Sequence, residues 1–302
     1  MKKQILLLIL TIGVLRPGIA QDPLYTQFMT NPFLINPAIC GTYNYYQIIA
    51  NSRLQWTGIS DAPVTNVLSM YGPMVNQPMG LGGYVMHDSY GLVSTTKLSF
   101  SYAYNYGITE DLKISMGANI GLFQYKIDGT GTTEYQDPVY NGQPFTQFGP
   151  DATLGFYVYS STYNGGLALT NLFGNKLHIG DTITGLSRLK RHFYLHGGYL
   201  YLVNREFSVE PTIIFRKVGA LPLQMDFDVR AWYGKRQWDN TKLWGGLSYR
   251  TGDAISILLG FSYQKKIEIG YSYDLGINKI AKFNNGSHEL MIGFKFNNIK
   301  KY

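Results

Sequence analysis

Between residues 47 and 297 the chain repeats one pattern: an apolar or aromatic side chain at every second position over about ten residues, then a turn. Residues 266–276 show it most cleanly, with Ile267, Ile269, Tyr271, Tyr273 and Leu275 alternating with Glu268, Gly270, Ser272 and Asp274. Successive side chains of a strand point to opposite faces, so this stretch has one greasy face and one that is small, polar or acidic. In 222–234, Leu223, Met225, Phe227, Val229, Ala231 and Tyr233 alternate with Gln224, Asp226, Asp228 and Arg230. In 112–122, Leu112, Ile114, Met116, Ala118, Ile120 and Leu122 face Lys113, Ser115, Gly117, Asn119 and Gly121. A soluble sandwich or a lipocalin-like barrel would turn the apolar face inward, but 302 residues of continuous meander are large for either. A transmembrane β-barrel turns that face to lipid and lines its lumen with the other. The expectation is an all-β outer-membrane barrel of about 14 antiparallel strands with a non-barrel N-terminal arm.

The first twenty residues favour export. Lys2 and Lys3 precede an apolar run from Ile5 to Leu15, and Gly18-Ile19-Ala20 has the small residues of a cleavage site. This reads as a signal peptide over 1–20, with Gln21 as the mature start. The run is too short to span a bilayer, and the longest later apolar stretch, Ala254 to Tyr263, still alternates. Cleavage would remove Lys2, Lys3 and Arg16, leaving 23 of the 26 basic residues against 19 acidic ones. Those basic residues are scattered, so the pI near 9.2 gives no reason to expect nucleic acid. Cys40 is the only cysteine, which excludes an internal disulfide framework, and it lies too far from the cleavage point to carry a lipoprotein anchor. Aromatics make up 15% of the chain, including 25 Tyr, as interfacial girdles require. Charged residues are only 15%, against about 25% in soluble domains.

Strands are expected near 47–57, 64–73, 80–88, 94–107, 111–127, 151–161, 163–171, 191–203, 206–218, 222–234, 240–251, 254–264, 266–276 and 288–297. Gly82-Gly83, Gly165-Gly166, Gly197-Gly198 and Gly245-Gly246 within them suit bends or bulky neighbours. With a periplasmic N-terminus the short turns at 107–110, 161–164, 203–205 and 264–265 are periplasmic, and the long gaps at 128–150 and 172–190 are extracellular. The barrel is thus expected over 47–297, with a short tail over 298–302. Residues 21–46 do not alternate. Asn31-Pro32 and Asn36-Pro37 bracket Phe33-Leu34-Ile35, and prolines so close together oppose both ladder and helix. An arm carrying Phe28, Phe33, Leu34 and Ile35 is too apolar for a linker. It should dock inside the barrel, at its periplasmic mouth or on a partner.

No catalytic constellation emerges. His87-Asp88-Ser89 holds the residue types of a hydrolase triad, but adjacent strand residues face opposite ways. His192 and His196 share a face without a Cys, Asp or Glu in that strand to complete a metal set. There is no phosphate-binding Gly-Lys loop and no dinucleotide fingerprint, so no cofactor, metal or enzymatic activity is expected. The inward charges Asp226, Asp228, Arg230, Glu268 and Asp274 could select a substrate or bind a partner, but solvated or mutually paired charges are the commoner outcome in a wet lumen. The loops offer Tyr135, Tyr140, Phe145, Phe148, Phe173 and Arg188, together with His178 and Lys190, for protein contacts.

Several segments resemble one family in order and spacing. Gln21-Asp22-Pro23-Leu24-Tyr25-Thr26-Gln27-Phe28, then Asn31-Pro32, Ile35-Asn36-Pro37-Ala38 and Gly41, resemble the opening of PorP/SprF proteins. Arg53-Leu54-Gln55-Trp56-Thr57-Gly58-Ile59 with Ala62-Pro63-Val64-Thr65, and Gly80-Leu81-Gly82-Gly83 with Asp88-Ser89-Tyr90-Gly91, are similar to the segments that follow. Arg191-His192-Phe193-Tyr194-Leu195-His196-Gly197-Gly198-Tyr199 and the closing Ser287-His288-Glu289-Leu290-Met291-Ile292-Gly293-Phe294 complete the series. Cys40 departs from the small or aromatic residue expected there, and six residues follow Phe296 where the usual closing strand stops at its aromatic. The resemblance implies a non-enzymatic outer-membrane barrel of the type IX secretion system of Bacteroidota, associated in some members with gliding motility. It implies, as partners, outer-membrane lipid, a secreted surface protein or adhesin with a type IX sorting domain, and periplasmic components of the machinery. The alternative is a channel or transporter for small solutes or hydrophobic molecules.

Overall fold

The structure, a computed structural model, describes residues 23–128, 144–177, 188–235, 237 and 240–297. Among them are β1 (Tyr46–Leu54), β2 (Val64–Pro73), β3 (Met79–Tyr90), β4 (Val93–Gly107), β5 (Lys113–Ile127) and β6 (Phe145–Tyr159). There follow β7 (Tyr163–Thr170), β8 (His192–Tyr199), β9 (Tyr201–Leu202), β10 (Phe207–Val218) and β11 (Gln224–Tyr233), then β12 (Lys242–Arg250), β13 (Ala254–Tyr263), β14 (Ile267–Gly276) and β15 (Ser287–Phe296). Every pairing is antiparallel. β10 takes up both β8 and β9, which make one strand interrupted at Leu200, so the 15 stretches form 14 staves. β1 pairs with β15 over Tyr46↔Phe296 to Leu54↔His288, and this seam closes the barrel. A closed sheet leaves no backbone edge in lipid, which is the condition for spanning a bilayer with strands. No helix of the described residues is long and apolar enough to cross a membrane.

The alternation resolves as a membrane barrel requires. Leu98, Phe100, Ile120, Leu122, Leu247, Ile257 and Leu259 are exposed on the outer wall, whereas Ser69, Ser99, Ser101, Ser115, Asn119 and Ser256 are buried inside. On β14, Glu268, Gly270, Ser272 and Asp274 point inward, as the two-residue period predicts. Tyr104, Tyr106, Tyr163, Tyr199, Tyr201, Tyr233 and Tyr263 are exposed near the ends of their strands that carry the short turns. They form an aromatic girdle at one membrane surface. The same end carries Tyr46 and Phe296 and the connections at 108–112, 160–162, 203–206 and 264–266; the opposite end carries the gaps at 128–144 and 171–191. By the length rule for such barrels the first end is periplasmic and the second extracellular. In the periplasmic turns, Ser161 N donates to Asp111 Oδ1 at 3.0 Å, and hydrogen bonds from Ser161 hold the Asp111 carboxyl below its ordinary pKa.

Two expectations need correction. The gap ending at residue 150 is shorter than expected, because Phe145–Pro150 continues β6 and pairs with Ile127–Leu122 of β5. Pro150 suggests a break, but β7 pairs with β6 only from Leu154 onward, so the proline lies where the second side of β6 is an edge. The prolines of the arm do not prevent helical turns either: Pro32–Leu34 and Pro37–Ile39 are each one turn of 3-10 helix. Proline suits the first position of a turn, where its missing N–H would be unpaired anyway, and the Asn36 side chain caps the second turn at Ala38 N (3.0 Å).

Candidate functional site: a plugged lumen

Residues 23–45 occupy the lumen. Leu24 lies beside Leu221 and Leu223 near the extracellular end, and Cys40 lies against Gly80 at the periplasmic end of β3, so the arm descends the length of the barrel. Phe28, Phe33, Ile35, Ala38, Ile39 and Cys40 are buried, and Leu34 is half-buried. Phe33 stacks on Tyr71 with ring centroids 4.4 Å apart, and with Ile39 and Cys40 it joins a cluster reaching Ile49, Ala103, Tyr157 and Met291 on separate staves. Phe28 and Ile35 pack instead against Ala168, Tyr194 and Ile214. The arm therefore contacts opposite walls of the barrel at once.

Inward glycines make the seat. A Cβ on Gly117 would meet the backbone of Ala38 and Pro37, one on Gly80 the backbone of Cys40, and one on Gly155 the Asn36 side chain. Polar anchors fix the register. Asn31 Nδ2 donates to Asn51 Oδ1 (3.1 Å) and Ser69 Oγ (2.9 Å), Asn36 Nδ2 donates to Phe156 O (3.0 Å), and Asn105 Nδ2 donates to Cys40 O (3.2 Å).

Near the extracellular end a chain of alternating charges crosses the wall from β10 to β1. Arg216 Nη2 reaches Asp226 Oδ2 at 2.7 Å, Arg250 Nε reaches the same oxygen at 3.2 Å, and Arg250 Nη1 lies 3.9 Å from Asp274 Oδ2. Arg53 closes the chain, with Nη2 2.6 Å from Asp274 Oδ2 and Nη1 3.1 Å from Glu289 Oε2. Local register explains the links: Asp226 pairs directly with Arg250 and Arg53 with Glu289. The small Ala254 and Ser256 of β13 let Arg250 reach across to β14. Buried charges are tolerated only when paired and further hydrogen-bonded, and Thr26 of the arm supplies that bonding. Its N–H donates to Glu289 Oε2 (2.8 Å), its hydroxyl donates to Asp274 Oδ2 (2.8 Å), and the same oxygen accepts from Arg53 Nη1 (3.0 Å) and Arg250 Nη2 (3.1 Å). Gln27 Nε2 donates to Glu289 O at 2.9 Å. The plug and the charge chain are one network.

Asp226, Asp228, Arg230, Glu268 and Asp274 are all buried and inward. Arg230 pairs with Glu210 (2.7 Å) and Glu268 with Lys295 (2.6 Å), so pairing within the wall accounts for much of the ladder. Periodicity alone did not reveal Arg53, Arg216, Arg250 and Glu289, each of which lies within the few residues at the extracellular end of its strand, the first three at a strand's finish and Glu289 at a strand's start. Nor did it reveal the seating glycines, whose signal is a glycine in the inward, polar register. Asp88 faces inward, accepting from Thr65 Oγ1 at 2.6 Å, while His87 faces outward beside Thr96, so no triad assembles. His192 and His196 both face inward but engage Tyr194 and Asn36 respectively, and no metal-ligating group of three occurs among the described residues. Of the loop aromatics, Phe145 packs on the cluster of Phe123, Tyr125, Ile127, Leu177 and Leu189. Phe148 (68% exposed) and Phe173 (57% exposed) stay open. Arg188 is exposed and bridges to Lys176, whose carbonyl accepts from the Gln147 side chain, while Phe148, the next residue of β6, points to the other face of that strand. Tyr135, Tyr140 and His178 lie outside the described residues.

The model of the type IX secretion system membrane proteins PorP/SprF matches residues 18–294. The chain belongs to the PorP/SprF family. PorP/SprF membership and the closed barrel together place it in the outer membrane, as a secretion- or channel-type protein working beside membrane lipid and other secretion components. No curated protein matches the sequence. Among solved structures, this PorP/SprF barrel is similar to the CymD monoaromatic hydrocarbon channel (13% identity, TM-score 0.50, covering 94% of this chain and 95% of that one). It is also similar to the Pseudomonas putida toluene transporter TodX (10% identity, TM-score 0.49, covering 92% and 94%). At such identity the CymD likeness speaks for the fold alone.

Proposed function

We propose that this PorP/SprF protein is a plugged outer-membrane anchor that retains, or helps export, a surface protein or adhesin of the type IX pathway. In this reading residues 1–20 are a cleaved signal peptide. Residues 21–46 are a lumen-docked arm, and the extracellular segments that carry Phe148, Phe173 and Arg188, together with Tyr135 and Tyr140, meet the exported partner. The observation that carries it is the arm itself: a lumen filled by Phe28, Phe33, Ile35 and Ile39 and tied down through Thr26 suits a platform better than a pore. A channel for small solutes or hydrophobic molecules would require the arm to leave its seat. In an organism that glides, loss of the protein would then impair motility through loss of the adhesin. The test is a gentle detergent pull-down of the tagged protein from its native outer membrane. Co-purification of a large surface protein or type IX components in stoichiometric yield is expected; a barrel that emerges alone would refute the anchoring role.

A further inference from the structure

At the periplasmic mouth, where the arm leaves the lumen, a cleft of about 560 Å³ opens between arm and wall. Tyr43 and Tyr45 of the arm line one side; the turn Gln264–Lys266 between β13 and β14, with Lys295 at the end of β15, lines the other. The two tyrosine rings are stacked, with centroids 5.3 Å apart and planes 15° off parallel, and Lys295 Nζ lies 5.5 Å from the Tyr45 ring centroid. Three lysines thus line the cleft and no acidic residue does. Lys295 is neutralised by Glu268 at 2.6 Å, but Lys265 and Lys266 are exposed, and neither has an acidic partner among the described residues. The turn also spends backbone strain on its lysine. Gln264 and Lys265 both have positive φ (51° and 57°), and Lys266 N donates to Tyr263 O at 2.9 Å. Asn-Gly is the pair that ordinarily takes this conformation, because glycine adopts it without steric cost. Here a lysine is held in it, and a cation is set at the mouth.

We propose that this cleft docks an acidic peptide segment of a periplasmic partner, and that its occupation holds the arm in the lumen. Carboxylates of the segment pair with Lys265 and Lys266, the two cations that the protein itself leaves uncompensated. The exposed amides of Asn44 and Asn297 offer donors and acceptors to a peptide backbone. The stacked tyrosines give an apolar face to a side chain between the carboxylates. A lipid phosphate fits less well. Lys295 belongs to the inward register of β15 and pairs with the inward Glu268, and Tyr43 and Tyr45 belong to the arm, so the cleft opens inside the mouth rather than onto the bilayer. A segment seated here touches arm and wall at once. It therefore binds the seated state and, by linkage, stabilises it. The site does not depend on what the barrel anchors outside.

The probes are the acetylated, amidated tripeptide Asp-Phe-Asp and its uncharged counterpart Asn-Phe-Asn, titrated calorimetrically against the intact detergent-solubilised protein. The acidic peptide should bind about ten-fold more tightly than the uncharged one, and its affinity should fall as sodium chloride is raised. Lys265→Gln combined with Lys266→Gln removes both uncompensated cations from an exposed turn and leaves the Lys295–Glu268 pair in place. That double variant should assemble as the parent does and lose about ten-fold in affinity for the acidic peptide. Cys40, the buried single cysteine of the arm, reads the second half of the proposal. At about 100 times its dissociation constant the acidic peptide should slow maleimide labelling of Cys40 about 100-fold. Equal binding of the two peptides, unchanged affinity in the double variant, or labelling that the bound peptide does not slow would overturn the proposal. Displacement of the acidic peptide by an equal concentration of phosphatidylglycerol would assign the cleft to a lipid phosphate and overturn it as well.

Discussion

Thr26→Val is the sharpest perturbation of the plug, because it keeps the shape of the side chain and removes only its hydroxyl. That oxygen serves Asp274, Arg53 and Arg250 at 2.8, 3.0 and 3.1 Å. Its loss strands the buried Arg250 Nη2 and takes one hydrogen bond each from Asp274 Oδ2, still held by Arg53 Nη2 at 2.6 Å, and from Arg53 Nη1, still held by Glu289 Oε2 at 3.1 Å. One stranded buried guanidinium donor costs on the order of 1–3 kcal/mol, and the two weakened charge-assisted contacts add to it within one network, so the total is about 3 kcal/mol. The penalty falls on the seated state alone, since an expelled arm lets water reach all three groups. At about 1.4 kcal/mol per factor of ten, the unseated fraction rises about 100-fold. Cys40 reports this directly, being the only cysteine of the chain and fully buried under the arm's own packing. Maleimide labelling of the folded barrel, limited by arm opening, should accelerate about 100-fold in Thr26→Val. Thr26→Ser, which keeps the hydroxyl, should label almost as slowly as the parent. An unchanged rate in Thr26→Val, with the barrel still closed by heat-modifiability on a gel, would refute the argument that this hydroxyl holds the plug.

Other outcomes follow from the same geometry. Gly117→Val sets a side chain against the backbone of Ala38 and Pro37, so it should destabilise the seated arm by about 1–3 kcal/mol and speed Cys40 labelling while barrel assembly persists. Leu247→Arg places a charge on the exposed outer wall of β12. It should lower the stability of the membrane-inserted barrel by about 2–4 kcal/mol in a reversible urea titration in lipid, whereas a negligible effect would mean that this face does not meet lipid. The Asp111–Ser161 contact has a lowered carboxyl pKa in the folded turn, so its contribution is complete above the ordinary carboxylate range and is lost as pH falls through the lowered value. The Ser161 amide shift should titrate over that acidic window, and a flat shift would remove the contact from the account.

Much of this architecture could be read from residue order because a strand's period is two and a barrel has only two faces. The alternation of Ile267 to Leu275 fixed which side of β14 meets lipid, and Asp226, Asp228 and Arg230 turned inward for the same reason. The plug was harder to read. Phe28, Phe33 and Ile35 signal a buried arm, but no local rule says which wall receives them, because their partners lie on staves far apart in sequence. Gly117 and Gly155 look like ordinary strand glycines until the backbone of residues 36–38 is laid against them. The extension of β6 through Phe145–Pro150 was obscured by the proline, whose local effect disappears on an unpaired edge. Pairings such as Arg250 with Asp274 depend on a small residue in the stave between, a condition set by three strands together.

The central claim is a lumen closed by its own N-terminal arm, and planar-bilayer recording of the intact protein tests it most directly. The account predicts a silent membrane with the parent protein and stepwise conductance once Thr26→Val or Gly117→Val loosens the arm. Steady conductance steps from the parent, unchanged by either substitution, would contradict it.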